Sequence, residues 1–192
     1  MWTASSRQVY TNPWMTVRED EIRRADGSDG IYGVVDKPDY ALIIPLERNT
    51  DGADDREEGL WLVEQYRYPL GMRRWEFPQG TAPGLAAAEP VGLAERELRE
   101  ETGLRADRMT ELGMLDVAAG MSSQRGRAFL ATELTHGTHE RELEEQDMRA
   151  ALFGRAEVEG MITRGEMTDA QSIAAYTLLL LHERGSPRTN DS

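Results

Sequence analysis

The stretch Arg96-Glu97-Leu98-Arg99-Glu100-Glu101-Thr102-Gly103-Leu104 decides how this chain is read. On a helix, Glu97, Glu100 and Glu101 stand three and four positions apart, which brings three carboxylates onto one face. Like charges at that spacing repel, each pair costing roughly 0.2–0.5 kcal/mol in an isolated helix. A divalent cation held among them would remove that repulsion. Gly103 supplies the positive φ that ends a helix, and Leu104 is placed to fold back as the apolar partner of that cap. The helix is expected to start at Pro90, whose missing N–H is no loss in a first turn. The carboxylates therefore belong to the last turns of a short, well-terminated helix over residues 90–102.

N-terminal to that helix the chain is rich in β-formers. Val9-Tyr10, Trp14-Met15-Thr16-Val17 and Gly30-Ile31-Tyr32-Gly33-Val34-Val35 read as short strands, with Asp26-Gly27-Ser28-Asp29-Gly30 as a turn between them. Together they predict an N-terminal β element over residues 1–36. Residues 40–46 and 60–66 are apolar enough for central strands, and the acidic, Gly-containing segment 49–59 joining them reads as an exposed loop. Leu62-Val63-Glu64-Gln65-Tyr66-Arg67-Tyr68-Pro69, followed by Trp75-Glu76-Phe77-Pro78-Gln79-Gly80, predicts two buried strands about an aromatic-rich turn. Further strands are expected at 112–117 and 127–134, then a polar, carboxylate-dense loop over 135–148. A closing helix is expected over 169–183, with Asp169 or Thr168 as its N-cap rather than as a catalytic group. Residues 37–185 are thus expected as the main domain and 186–192 as a frayed tail. Strands alternating with two long helices predict an α/β sandwich.

Bulk properties narrow the function classes. A chain of 192 residues can hold one generous domain with a real core, or one domain plus a dimerisation element. A net charge of −13 and a pI of about 4.7 argue against nonspecific binding to nucleic acid or to an anionic membrane surface. The sequence has no cysteine, hence no disulfide and no thiolate metal site, which fits a reducing cytoplasm. No apolar run follows a basic start at the N-terminus, and the longest apolar run, residues 176–181, is far too short to cross a bilayer. The expectation is a soluble, cytoplasmic globular protein, with neither nucleic acid nor membrane as partner.

A Glu-Glu pair on a helix is by itself usually a solvated charged face. Its surroundings say more here: Arg96 beside Glu97, Leu98 between the charges and Gly103 at the cap. The string R-E-L-R-E-E-T-G-L resembles the second half of the Nudix box, G-x5-E-x7-R-E-U-x-E-E-x-G-U with U a bulky aliphatic residue, at every fixed position. The first half departs from it. Counting back from Arg96, the box Glu falls on Ala88 and the box Gly on Ala82, whereas the chain offers Glu89 and Gly80. The loop before the helix therefore reads as two residues longer. The resemblance implies a Nudix-type α/β/α sandwich with a mixed β-sheet, and metal held by Glu97, Glu100 and Glu101. Arg96 is spaced for an i, i+4 ion pair with Glu100; the resemblance implies that it orients a box glutamate.

Q-Y-R-Y-P at residues 65–69 and W-E-F-P-Q-G at 75–80 resemble the approach to the box in the ADP-ribose pyrophosphatase branch. This implies that Arg67 contacts substrate phosphate or ribose, that Glu76 helps to hold the nucleotide, and that the backbone carbonyl of Gln79 is a metal ligand. Ala is more usual at that position, but a carbonyl ligand is indifferent to its side chain. Ala118-Ala119-Gly120-Met121-Ser122 stands where the branch tends to show Ser-Pro-Gly-Phe-Ser, with Ala119 in place of the Pro. The run Glu140-Arg141-Glu142-Leu143-Glu144-Glu145-Gln146-Asp147 is most simply an acidic surface loop. The resemblance implies that a loop here delivers one more glutamate, which positions the attacking water. Glu142, Glu144 and Glu145 are the candidates, and spacing does not choose among them. Trp2, Tyr10 and Trp14 offer faces on which a base can stack, although aromatics in strands more often fill a core. Dimeric members of the branch use their N-terminal strands across the subunit interface, which implies a two-fold homodimer with an aromatic of this region, Trp14 among them, near the partner's site.

The implied reaction is Mg²⁺-dependent hydrolysis, with Mn²⁺ as the alternative cation, of the pyrophosphate bond in a nucleoside diphosphate linked to a second group. ADP-ribose or an ADP-sugar comes first, giving AMP and a sugar phosphate. All-oxygen ligation suits either ion. Pro78-Gln79-Gly80 also resembles dinucleoside-polyphosphate and RNA-cap-type Nudix hydrolases. The fold serves elsewhere as a non-catalytic nucleotide-sensing module, against which the retention of all three box glutamates speaks.

Overall fold

The computed structural model describes residues 1–48, 58–81, 89–137 and 147–185. Three antiparallel strands open the chain, β1 (Trp2–Asn12), β2 (Met15–Arg23) and β3 (Asp29–Asp36), in the order β1-β2-β3. They are longer than the apolar pattern indicates, because polar cross-strand pairs carry the ladder where apolar residues are missing. Ser5 Oγ donates to Glu21 at 2.8 Å and Arg7 pairs with Glu19 at 3.0 Å. In the first turn Asn12 Oδ1 accepts the N–H groups of Trp14 and Met15 at 2.9 and 2.8 Å. In the second, Asp26 Oδ1 accepts from the Ser28 N–H at 3.0 Å, with Gly27 at φ 85°. Both use the side-chain mimicry that makes Asn and Asp turn residues. This small sheet joins the rest through β3. The Val35 N–H donates to the Met121 carbonyl at 2.8 Å, and Ser122 Oγ and Tyr32 Oη donate across the same seam at 2.7 Å each.

A seven-stranded sheet follows, built from β4 (Tyr40–Arg48), β5 (Glu58–Arg67), β6 (Met72–Glu76), β7 (Gln79–Thr81), β8 (Leu104–Asp116), β9 (Arg125–His136) and β10 (Arg149–Gly154). Its main order is β10-β5-β4-β9-β8, with β6 added on β5 and β7 on β4. The β4–β9 pair is parallel and the other pairs are antiparallel, so the sheet is mixed. The helices α1 (Pro90–Thr102), α2 (Arg155–Arg164) and α3 (Ala170–Gly185) cover its two faces.

β4 explains the layering. Successive side chains of a strand point to opposite faces: Ala41 and Ile43 pack with Leu93, Ala94 and Leu98 of α1. Tyr40, Leu42, Ile44 and Leu46 pack with Val158 and Met161 of α2 and with Ala175, Tyr176 and Leu179 of α3. A strand buried on both faces reads as a continuous apolar run, and fully burying each Leu or Ile is worth about 1.5–3 kcal/mol. The result is the expected α/β/α sandwich. Pro45 is tolerated in this central strand. The Ile43 N–H donates to the Pro78 carbonyl at 2.9 Å. Two residues on, Pro45 presents its nitrogen to the same side, in the gap between β7, which pairs as far as Leu42, and β5, which pairs from Leu46. No ladder bond is lost there.

Two elements differ from the sequence expectation. The sequence pattern predicts neither β10 nor α2, and α2 buries only Val158 and Met161, an apolar stripe too narrow to stand out by periodicity. The expected loop over 135–148 is shorter: Thr135 and His136 belong to β9, and Met148 is buried. Residues 138–146 lie outside the described residues, as do 49–57, 82–88 of the lengthened box loop, and the tail 186–192. Among the described residues no helix is long and apolar enough to cross a membrane.

Candidate active site

The site begins at the C-terminal half of α1. Glu97 and Glu101 lie on its sheet-facing side, only 5% and 1% exposed, and Glu100 is partly buried beside them. Buried carboxylates are costly unless answered by charge or hydrogen bonds. Arg96 Nη2 donates to Glu97 Oε1 at 2.8 Å and to the Thr81 carbonyl at 3.2 Å, and its Nε lies 3.4 Å from Glu100. The Gln79 N–H donates to Glu101 Oε2 at 3.1 Å. β7 and α1 are so close that a Cβ on Gly80 would stand 2.2 Å from Glu97 Oε2. An added Cβ would force the Glu97 carboxylate to shift. The helix ends as its sequence predicts: Gly103 is at φ 76° with its N–H on the Arg99 carbonyl at 2.9 Å, and Leu104 is buried with Leu98. Glu89, at the other end, caps with its backbone carbonyl rather than its side chain.

β5 and β6 form the second wall. Glu76 is 1% exposed, and Arg67 meets it with two nitrogens, Nε at 3.1 Å from Oε2 and Nη2 on Oε1, where Gln65 Nε2 also donates. Burial pushes the Glu76 carboxyl above its ordinary range, and the positive charge and hydrogen bonds of Arg67 oppose that shift. The two residues expected to meet substrate separately are therefore paired with each other.

The third wall is the start of α3. Asp169 Oδ2 accepts from the Ser172 N–H at 2.8 Å and from Ser172 Oγ at 2.7 Å, so Asp169 is the N-cap. The same oxygen accepts from Gln79 Nε2 at 3.2 Å, and Ser172 Oγ accepts the Phe77 N–H at 3.0 Å. Thr168 instead accepts from Arg74 Nε at 3.1 Å.

These walls enclose an open cleft of about 1260 Å³. Trp14, 58% exposed in the β1–β2 turn, stands at this cleft. In the single chain Trp14 lines its own cleft; the expectation of an N-terminal aromatic near a partner's site concerns an assembly of two copies. Among the described residues, five carboxylates line the cleft against three cations, Lys37, Arg67 and Arg74. An anionic ligand entering such a cleft needs added positive charge. Among the described residues no three acidic or histidine side chains close into a cage. A closed cage is not what Mg²⁺ requires, since it binds through one or two carboxylates with waters and substrate phosphates. Glu97 and Glu101 offer that hard, all-oxygen donor set.

Glu142, Glu144 and Glu145 lie outside the described residues. Lys37, Gln65 and Arg74 line the cleft without having been singled out from sequence. A string of two adjacent arginines, Arg73-Arg74, was the available signal.

Comparison with known proteins agrees with this geometry. Residues 45–176 match the family model described as the NUDIX domain, and residues 3–35 match the nucleoside diphosphate sugar hydrolase N-terminal domain. The chain is 35% identical over 182 residues to an ADP-ribose pyrophosphatase of Mycobacterium tuberculosis, covering 94% of this chain and 82% of that protein. It is 25% identical over 182 residues to an ADP-ribose pyrophosphatase of Bacillus subtilis, covering 94% and 93%. A crystal structure described as an ADP compounds hydrolase shares the fold with a TM-score of 0.79 at 18% identity, over 97% of this chain and 96% of that one. With agreement running from the N-terminal strands to α3, the chain belongs to the Nudix hydrolase family.

Proposed function

We propose that the protein hydrolyses the pyrophosphate bond of a nucleoside diphosphate linked to a sugar, ADP-ribose or an ADP-sugar first, releasing AMP and a sugar phosphate. The observation that carries this reading is a single cleft in which the buried Glu97 and Glu101 face an aromatic, Trp14, at the rim. Relatives named ADP-ribose pyrophosphatase support the substrate class. Mg²⁺, or Mn²⁺ in its place, bound by Glu97, Glu100, Glu101 and the Gln79 carbonyl, would neutralise diphosphate charge, polarise phosphoryl oxygens and lower the pKa of a bound water.

The protein's own groups do the rest. Arg96 ties Glu97 to β7 through the Thr81 carbonyl, and the Gln79 N–H holds Glu101, so the ligands are set before substrate arrives. Trp14 stacks on the base. The Arg67–Glu76 pair forms a fixed polar wall against the ribose. One of Glu142, Glu144 and Glu145 takes the proton from the attacking water as general base. The absence of cysteine fits work in the cytoplasm.

Product analysis by mass spectrometry with ADP-ribose, ADP-glucose, GDP-mannose, NADH and diadenosine polyphosphates tests the reading. AMP and ribose 5-phosphate from ADP-ribose should appear fastest. Faster cleavage of diadenosine polyphosphates would move the protein to that class. No turnover of any of them with Mg²⁺ would leave a nucleotide-sensing module.

Residues 1–36 form a separate element ahead of the hydrolase domain at 37–185, and we propose that it pairs two copies about a two-fold axis. Its exposed Trp2, Val9, Tyr10 and Ile31 support this, because a small sheet buries too little apolar surface by itself. Light scattering should give about twice the 21.6 kDa of one chain. A fully active single-chain mass would overturn the pairing.

A further inference from the structure

Among the described residues three cations line the cleft, and they are not equivalent. Arg67 is held by Glu76. Lys37 is exposed, so water answers its charge. Arg74 is half-buried on β6, and its two hydrogen bonds go to neutral acceptors: Nε to Thr168 Oγ1 and Nη1 to the Arg73 carbonyl, both at 3.1 Å. No carboxylate among the described residues lies within ion-pair distance of it. A guanidinium carries five N–H donors in a rigid planar fork. Two of them are used, so the Nη2 pair and one Nη1 proton remain for another acceptor. A charge half out of water and unanswered by a counter-ion is costly to keep. Two anchors nevertheless hold this one at the wall of the cleft.

We infer that Arg74, rather than Arg67 alone, takes a phosphoryl group of the substrate and sets affinity for it. The inference rests on the reading of the cleft as a nucleoside diphosphate site. The planar fork matches a phosphoryl group with two parallel N–H···O bonds, and that charge replaces the counter-ion the protein does not supply. Thr168 and the Arg73 carbonyl are positioning groups that hold the fork before the ligand arrives.

Calorimetric binding of AMP and of ribose 5-phosphate to the full chain with Mg²⁺ tests this without relying on turnover, and separates the two phosphoryl groups of the substrate. Arg74→Gln should weaken one of these ligands by about tenfold or more, the range for a lost charge-assisted hydrogen bond. Arg74→Lys should recover part of the loss, since it restores charge but not the fork. The salt dependence of that binding should flatten in Arg74→Gln. Thr168→Val, which removes an anchor and leaves the guanidinium, should change affinity less. The inference fails if Arg74→Gln binds both ligands as wild type does. It also fails if Thr168→Val loses as much as Arg74→Gln, which would mark a structural role, or if wild type binds neither ligand. A wild-type protein that binds AMP yet turns over no nucleotide would sink the proposed reaction and leave Arg74's role standing.

Discussion

Glu101→Gln is expected to lower turnover by at least about two decades, roughly 2.7 kcal/mol of transition-state stabilisation, with the fold intact. The substitution keeps size and shape at a position that is 1% exposed and sits above the sheet with Glu97. It removes the charge. The Gln79 N–H, 3.1 Å from Oε2, still finds an amide oxygen, so β7 and α1 stay joined. A cation held there would lose one of its anionic ligands, and with it part of the polarisation it would supply to phosphoryl oxygens. Thermal unfolding should stay close to wild type, because removing a buried charge relieves desolvation while one hydrogen bond is kept. Near-normal Mg²⁺-dependent turnover in the folded variant would rule Glu101 out as a metal ligand.

Gly80→Ala should cost about a hundredfold in kcat/KM, by geometry rather than by charge. The added Cβ would stand 2.2 Å from Oε2 and 2.5 Å from Cδ of Glu97, so the carboxylate has to move. Its movement would pull on Arg96, which ties it to the Thr81 carbonyl on the same strand. A displacement of about 1 Å at a reacting centre is enough for a loss of that size. Gly92→Ala is the matched control. Its Cβ meets nothing within 4 Å on the same helix, and Ala there should stabilise α1 by about 0.5–1 kcal/mol. Steady-state kinetics beside circular dichroism would separate the two. Unchanged kcat/KM in a folded Gly80→Ala variant would mean that Glu97 tolerates displacement and does not hold the reacting geometry.

What the sequence reveals depends on how local the cause is. α1 is legible from Pro90 to its Gly103 cap because start, stripe and stop all lie within one short stretch. β4 and β5 are legible because burial on both faces leaves an unbroken apolar run. β1 is not, since Ser5, Ser6 and Arg7 are held by pairing with β2 rather than by their own pattern. In the site, the box carboxylates announce themselves by spacing. The Arg67–Glu76 pair does not, because it exists through the β5–β6 register, in which Glu76 falls opposite Val63. Arg74 and Thr168 are 94 positions apart, and no reading of either neighbourhood joins them. Family resemblance located the wall that holds Arg67 and Glu76, but not that they face each other.

The parallel pair in the middle of the sheet sets the order in which the protein can assemble. β4 bonds β9 with Tyr40 opposite Gly126 and Pro45 opposite Ala131, so most of the chain must exist before the central pairing can form. The hairpins β1–β2 and β2–β3 need only their own turns, and hairpins close in about 1–10 μs. During synthesis the N-terminal hairpins can therefore close early, while α1 emerges with Glu97, Glu100 and Glu101 and has no Phe129 or Ala131 to pack against. Such long-range pairing makes the hydrolase domain the slow step of folding. A chain arrested after α1 would present the apolar face of β4 to chaperones.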